Sequence, residues 1–307
     1  MTNTKVSEKE AKVTEKKPAV TTGVKEKSTK PVTAKGKVTK IKAETETVGK
    51  YRRFVEKCKA AWLRKKRQNK GWKITLTILE LLFLTAWVLL ALQLSQWILV
   101  GAINLLAHLG VEFTATASLE TILSAIVYVI DLGITLGVPA LLLFEKSDRN
   151  SLGLQGIFTW TDIGMGVIGF ILSMIGALIV SALAAMVFPW IDMEQTQEIG
   201  YENISGFKDM MMAFLALVVI APVAEEIVFR GWLYGKLRKH TWAIPAILLT
   251  SIAFGVAHGQ WNVGITVGVM SVFMCLIREM TGTIYGGMIV HMLKNGLAYY
   301  LLFVYGM

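Results

Sequence analysis

The chain has two cysteines, four histidines and six prolines in 307 residues, and only 18% of its residues are charged. Cys58 lies in a basic stretch and Cys275 in an apolar one, so they suggest no disulfide framework, and neither has metal-ligand spacing. Cys275 reads as lipid-facing or as core packing. With 54% hydrophobic residues, the composition is too apolar for a soluble domain. Several runs reach the roughly 18–20 residues that cross a bilayer. No alternating strand pattern appears, which excludes a transmembrane barrel and leaves helices to satisfy the backbone in lipid. The first apolar run begins only near Ile74 and is too long for a signal-peptide core, so none is expected.

Acidic residues are scarce at one end. Residues 1–73 hold 23 Lys and Arg against 7 acids, a balance of +16; residues 74–307 hold 9 against 15, a balance of −6. Residues 1–50 are Lys, Thr, Val, Ala and Glu with almost no large apolar side chains, and are expected to be a disordered cytoplasmic tail. Without aromatics or a fold motif, such a tail favours anionic lipid headgroups over nucleic acid as its partner. Over residues 51–73 the pattern changes. Tyr51, Phe54, Val55, Cys58 and Trp62 recur at helical spacing among Arg52, Arg53, Lys57, Lys59 and Arg64-Lys65-Lys66-Arg67, predicting a basic amphipathic helix at the membrane surface.

The predicted fold class is all-α: a polytopic bundle of about seven transmembrane helices, near 74–100, 119–143, 161–188, 207–235, 242–258, 262–279 and 283–305. Residues 74–149 form its N-terminal helices. Loop charge places the N-terminus in the cytoplasm, because Lys146, Arg149, Lys236, Arg238, Lys239 and Arg278 then fall inside. Glu112, Asp192, Glu194, Glu198 and Glu202 fall outside. His108 and His240 read as interfacial. Asp131, mid-span in Val129–Gly137, either pairs with a neighbouring helix or faces a cavity, and no histidine or second acid shares that segment.

The sequence centres on Ala221-Pro222-Val223-Ala224-Glu225-Glu226-Ile227-Val228-Phe229-Arg230-Gly231. Ionisable groups at membrane depth cost roughly 2.5 kcal/mol or more each, so three within six residues form a functional-site hypothesis. Glu226 and Arg230 stand at i and i+4 and can pair. Glu225, about 100° around the helix, is left free. Phe254 and His258 share one helix face, and His291 and Asn295 share another. Gly255, Gly259, Gly286, Gly287 and Gly296 flank these positions and allow close helix approach. At about 1.5 Å per residue, Glu225 lies roughly 16 Å from Lys236 and His258 roughly 24 Å from Trp242. Their convergence therefore requires tilt, or an extension of the fourth helix beyond the membrane.

Glu225-Glu226-x-x-x-Arg230, Phe254-x-x-x-His258 and His291-x-x-x-Asn295, with Phe229-Arg230-Gly231 and Ser151-Leu152-Gly153-Leu154, resemble the motifs of the CAAX-protease and bacteriocin-processing (CPBP, or Abi) intramembrane peptidases. The resemblance covers roughly residues 150–307. It implies an intramembrane endopeptidase that hydrolyses a peptide bond of a membrane-associated protein or peptide. Glu225 and His258 would activate the water, and His291 and Asn295 would stabilise the oxyanion. Glu226 and Arg230, with Phe254, would support them. Glu225, His258 and His291 also offer ligands for a divalent metal such as zinc. The sequence does not separate that scheme from a metal-free glutamate mechanism, and Glu225 as base is the slightly favoured reading. Two other classes compete: a non-catalytic scaffold or bacteriocin-immunity-type protein that keeps the pocket, and a transporter. The absence of an internal repeat counts against the transporter.

Overall fold

A computed structural model describes residues 34–68, 70–143, 145–195, 197, 200–201, 204 and 206–305. Among the described residues there is no strand. The chain divides into two compact units, Met1–Tyr51 and Arg52–Met307. The helices are α1 (Ala34–Gln68), α2 (Lys70–His108), α3 (117–142), α4 (Trp160–Val187), α5 (207–240), α6 (Ala243–Ala257), α7 (Trp261–Thr281) and α8 (285–305).

α1 takes in residues 34–50, where disorder is expected from composition. Ala, Lys and Glu are strong helix formers, and no proline falls between Ala34 and Gln68. Residues 1–33 lie outside the described residues. In the second unit Phe54 and Trp62 of α1 are exposed. Lys59 Nζ donates to Leu143 O at 2.7 Å and meets Glu145 Oε1 at 3.2 Å. Trp62 Nε1 donates to Glu80 Oε1 at 2.7 Å. Glu80 Oε2 also lies 3.0 Å from His240 Nδ1, so His240 is tied to α2.

Among the described residues six helices are long and apolar enough to cross a membrane, against the seven expected. α6 is the difference. Its 15 residues span about 22 Å, short of the roughly 30 Å hydrocarbon core. The Trp242 entry and the turn at Gly259, with φ +68°, cut it off. It forms a close hairpin with α7, because a Cβ on Gly255 would stand 2.6 Å from Gly264 O and one on Gly264 2.8 Å from Gly255 O.

α5 runs through the bundle from Phe207 to His240. It is not uniform: Leu215–Ile220 and Ile227–Leu233 are π-helical. The first widened turn leads into Pro222, which has no N–H to continue the ladder. α5 continues to His240. The C-terminal end of α5 is tied to α7, where Arg238 Nη2 meets Glu279 Oε1 at 2.8 Å and the Tyr234 hydroxyl donates to Glu279. Ser151-Leu152-Gly153-Leu154 seats against α5. A Cβ on Gly231 would lie 3.0 Å from Leu152 O, and one on Gly235 3.0 Å from Ser151 O.

Candidate active site

Glu226 and Arg230 sit one turn apart on α5, and their side chains pair at 2.7 Å with neither exposed. The pairing read from the i, i+4 spacing is present. Glu226 Oε1 also lies 3.2 Å from His291 Nδ1 on α8, while its Oε2 faces Gly287. A Cβ at Gly287 would stand 2.8 Å from that oxygen, so only glycine lets α8 come this near. Phe254 closes the other side. The Arg230 guanidinium lies 4.3 Å from its ring centre, a cation–π contact in a desolvated setting. The same ring meets His258 at 4.9 Å and His291 at 5.6 Å, edge to face. Cys275 is fully buried in the core that contains Phe254, so it packs the core and does not face lipid.

Glu225 points elsewhere. Its Oε1 accepts a hydrogen bond from the Tyr128 hydroxyl of α3 at 2.8 Å, and its Oε2 lies 3.7 Å from His291 Nε2. Among the described residues, Oε2 has no hydrogen-bond partner. His258 caps α6, and its Nδ1 lies 2.8 Å from Phe254 O. A carbonyl can only accept, so Nδ1 carries the proton and the neutral ring keeps its lone pair on Nε2. Glu225, His258, His291 and Asn295 line one cavity of about 450 Å³. A larger apolar groove of about 590 Å³ along α6 and α7 has no ionisable residue in its lining.

Asn295 serves a second purpose. Its Nδ2 donates to Leu217 O at 2.9 Å. In the π turn the Ala221 N–H bonds to Ala216 O. The next carbonyl, Leu217, would need the N–H that Pro222 lacks. The Asn295 amide replaces it.

Spacing did not disclose Tyr128 or Lys294. Tyr128 is a lone hydroxyl in an apolar run, one turn before Asp131. Lys294 stands inside the His291–Asn295 segment, and its position in the cavity depends on how α8 meets α3 and α5. Asp131 is buried and accepts a hydrogen bond from Thr135 Oγ1 at 3.2 Å.

Among the described residues no group of three or more His, Cys, Asp or Glu is placed to hold a metal ion. Nδ1 of His258 is committed to Phe254 O and Nδ1 of His291 to Glu226, contacts a metal-ligating histidine also makes, so Nε2 of each ring and Glu225 Oε2 are the donors that would hold a metal. Glu225 Oε1 is held by Tyr128. Glu225, His258 and His291 do not form a gathered donor set.

The fold and site define a multi-pass helical membrane protein with a buried glutamate–arginine–histidine cluster beside a polar cavity. Residues 207–297 match the family model described as Rce1-like, Type II CAAX prenyl endopeptidase. The matched stretch contains Glu225, Glu226, Arg230, Phe254, His258, His291 and Asn295. It bears out the resemblance read from the motifs, over fewer residues than the 150–307 expected from sequence. No curated protein and no solved structure matches the chain.

Proposed function

We propose that the protein is an intramembrane endopeptidase that cuts a membrane-associated protein or peptide, with Glu225 as general base. One observation carries this reading. Of two adjacent carboxylates, Glu226 is consumed by Arg230 and His291, whereas Glu225 faces the cavity with one oxygen oriented by Tyr128 and the other, among the described residues, without a hydrogen-bond partner.

Water held on Glu225 Oε2 gives its proton to the carboxylate as its oxygen bonds to the scissile carbonyl carbon. The carbonyl electron pair moves onto oxygen, where the second amide hydrogen of Asn295 meets it. Collapse reforms the carbonyl and breaks the C–N bond. The proton taken by Glu225 then passes to the leaving amine through His258 Nε2. His291, held by Glu226 through Nδ1, keeps Glu225 in register. Phe254 and Arg230 fix the rings. No step requires a metal.

In this reading residues 150–307 form the peptidase core and the N-terminus is cytoplasmic. Residues 1–73 would contact anionic headgroups. The test is hydrolysis of candidate membrane peptides by purified protein, wild type against Glu225→Gln. The substitution keeps shape and the Glu226–Arg230 pair, so turnover should fall by roughly 10²–10⁴ with an unchanged melting temperature. Equal turnover by both proteins would remove Glu225 as the base, and no turnover by either would leave the non-catalytic scaffold in its place.

A further inference from the structure

Glu225 is held from a helix outside the stretch that matches the family. Tyr128 stands on α3, outside residues 207–297, and its hydroxyl donates to Glu225 Oε1 at 2.8 Å. It lines the same cavity as Glu225, His258 and His291. Earlier on α3, Thr121 Oγ1 lies 3.0 Å from Met212 O of α5. Residues seven apart share a helix face, so one side of α3 carries both contacts. Asp131, also buried, follows Tyr128 by three residues. Polar side chains on a spanning helix turn to the bundle because lipid offers them no partner. The contact makes the two oxygens of Glu225 unequal. Oε1 receives the hydroxyl hydrogen, whereas Oε2 has no hydrogen-bond partner among the described residues. His291 Nε2, at 3.7 Å, is beyond hydrogen-bond reach of Oε2.

We propose that Tyr128 is a positioning residue for Glu225: it holds Oε1 and so commits the proton taken from water to Oε2. This rests on the peptidase reading of the same cavity, and it adds α3 to the catalytic unit, beyond residues 150–307. An oxygen that already accepts a hydrogen bond is the less basic of the two. As the water O–H breaks, the new O–H therefore forms on Oε2. The carboxylic acid so made keeps its carbonyl oxygen, Oε1, as an acceptor, and the Tyr128 bond persists through the transfer. Glu225 is then unable to turn about its terminal bond. The proton stays where it was taken until it passes by way of His258 to the leaving amine. Without the tyrosine hydroxyl that terminal bond is a broad, roughly two-fold rotor, and the proton points towards its acceptor for only part of the time.

The first arm of the experiment needs no substrate. The full chain in neutral detergent micelles is titrated with acid, and the infrared C=O stretch of protonated Glu225 is identified as the band absent from Glu225→Gln. Tyr128→Phe removes one oxygen and should move that band to higher frequency, because the carbonyl loses a hydrogen bond. The second arm follows a fluorescein-labelled membrane peptide that the wild type cuts. There Tyr128→Phe should lower kcat roughly 10-fold or more, the loss expected of one hydrogen bond to a charged group. KM and melting temperature should change little. Tyr201→Phe is the control: it takes away a hydroxyl 3.2 Å from Thr121 Oγ1 on the same helix, and should leave band and turnover as they are. An unmoved band, an unchanged kcat, or a loss of turnover that follows melting temperature or appears equally in Tyr201→Phe would overturn the proposal. The two readings fail separately. A band that shifts in a protein whose wild type cuts nothing would sink only the peptidase; cleavage with a kcat indifferent to Tyr128→Phe would sink only the positioning role.

Discussion

Glu226 and Arg230 form an ion pair at 2.7 Å in which neither side chain is exposed. The pair therefore cannot be broken from one side without leaving a buried charge. Glu226→Gln or Arg230→Gln alone should cost about 3–5 kcal/mol and appear as poor yield and early melting. The double change should recover part of that stability, because no buried charge is left over. It should not restore turnover, since His291 Nδ1 also depends on Glu226. Thermal melts of the three variants in one detergent check this.

Gly287 lies where a methyl group has no room. A Cβ there would stand 2.8 Å from Glu226 Oε2, so Gly287→Ala should push Glu226 off Arg230 and His291. The cost should be about 1–3 kcal/mol, as for overpacking elsewhere, with a fall in turnover beyond what lost stability explains. Gly296→Ala is the control on the same helix. Its Cβ would meet Val218 at an ordinary 3.7 Å and should change the melting temperature little.

Much of this arrangement was legible from spacing. Glu226 and Arg230 pair because i and i+4 face one another on any helix turn, and Glu225 is freed by the same geometry. Gly255 and Gly287 were legible as small residues near the motifs, though not which atoms each admits. Other features depended on tertiary placement. Tyr128 reaches Glu225 only because α3 packs on α5, and no local pattern marks a tyrosine in an apolar run as a ligand of a residue 97 positions away. The span count of seven treated 242–258 as long enough to cross, whereas the turn at Gly259 holds α6 to 15 residues. Residues 34–50 show composition acting in two ways: few large apolar side chains argue against a packed core, while Ala, Lys and Glu favour a helix.

Glu145 carries a pH dependence away from the cavity. Burial alone would raise its carboxyl, but Lys236 and then Lys59, at 3.0 and 3.2 Å, outweigh burial and hold it below its ordinary value. A depressed carboxylate stabilises the fold above its unfolded pKa, about 4.3 for glutamate, and that stabilisation is lost as pH falls through the lower folded value. The docking of α1 and α5 on the loop after α3 should therefore be intact at pH 7 and loosen only in acid below about pH 4. Glu145→Gln should remove that acid-dependent step. Proteolysis near residue 145, followed against pH in both proteins, checks it. The group is part exposed, so the effect should be small.

Asn295 is a positioning residue for the α5 backbone as well as a candidate oxyanion donor, and the two jobs can be separated. Its amide donates to Leu217 O at 2.9 Å, the carbonyl that would bond to residue 222 if residue 222 had an N–H. Asn295→Ala leaves that carbonyl unsatisfied among packed helices, a loss of about 1–3 kcal/mol. Pro222→Ala supplies the missing backbone donor. In the Asn295→Ala background it should therefore return much of the lost stability, whereas in the wild type, where Asn295 already serves the carbonyl, it should gain little. Turnover separates the roles. If Asn295 acts only through the backbone, the double variant should regain activity along with stability. If its second amide hydrogen meets the oxyanion, the double variant should melt near the wild type yet stay roughly 10²-fold or more slower. The second outcome is the one expected, and melting temperature and turnover measured on the same four proteins decide it.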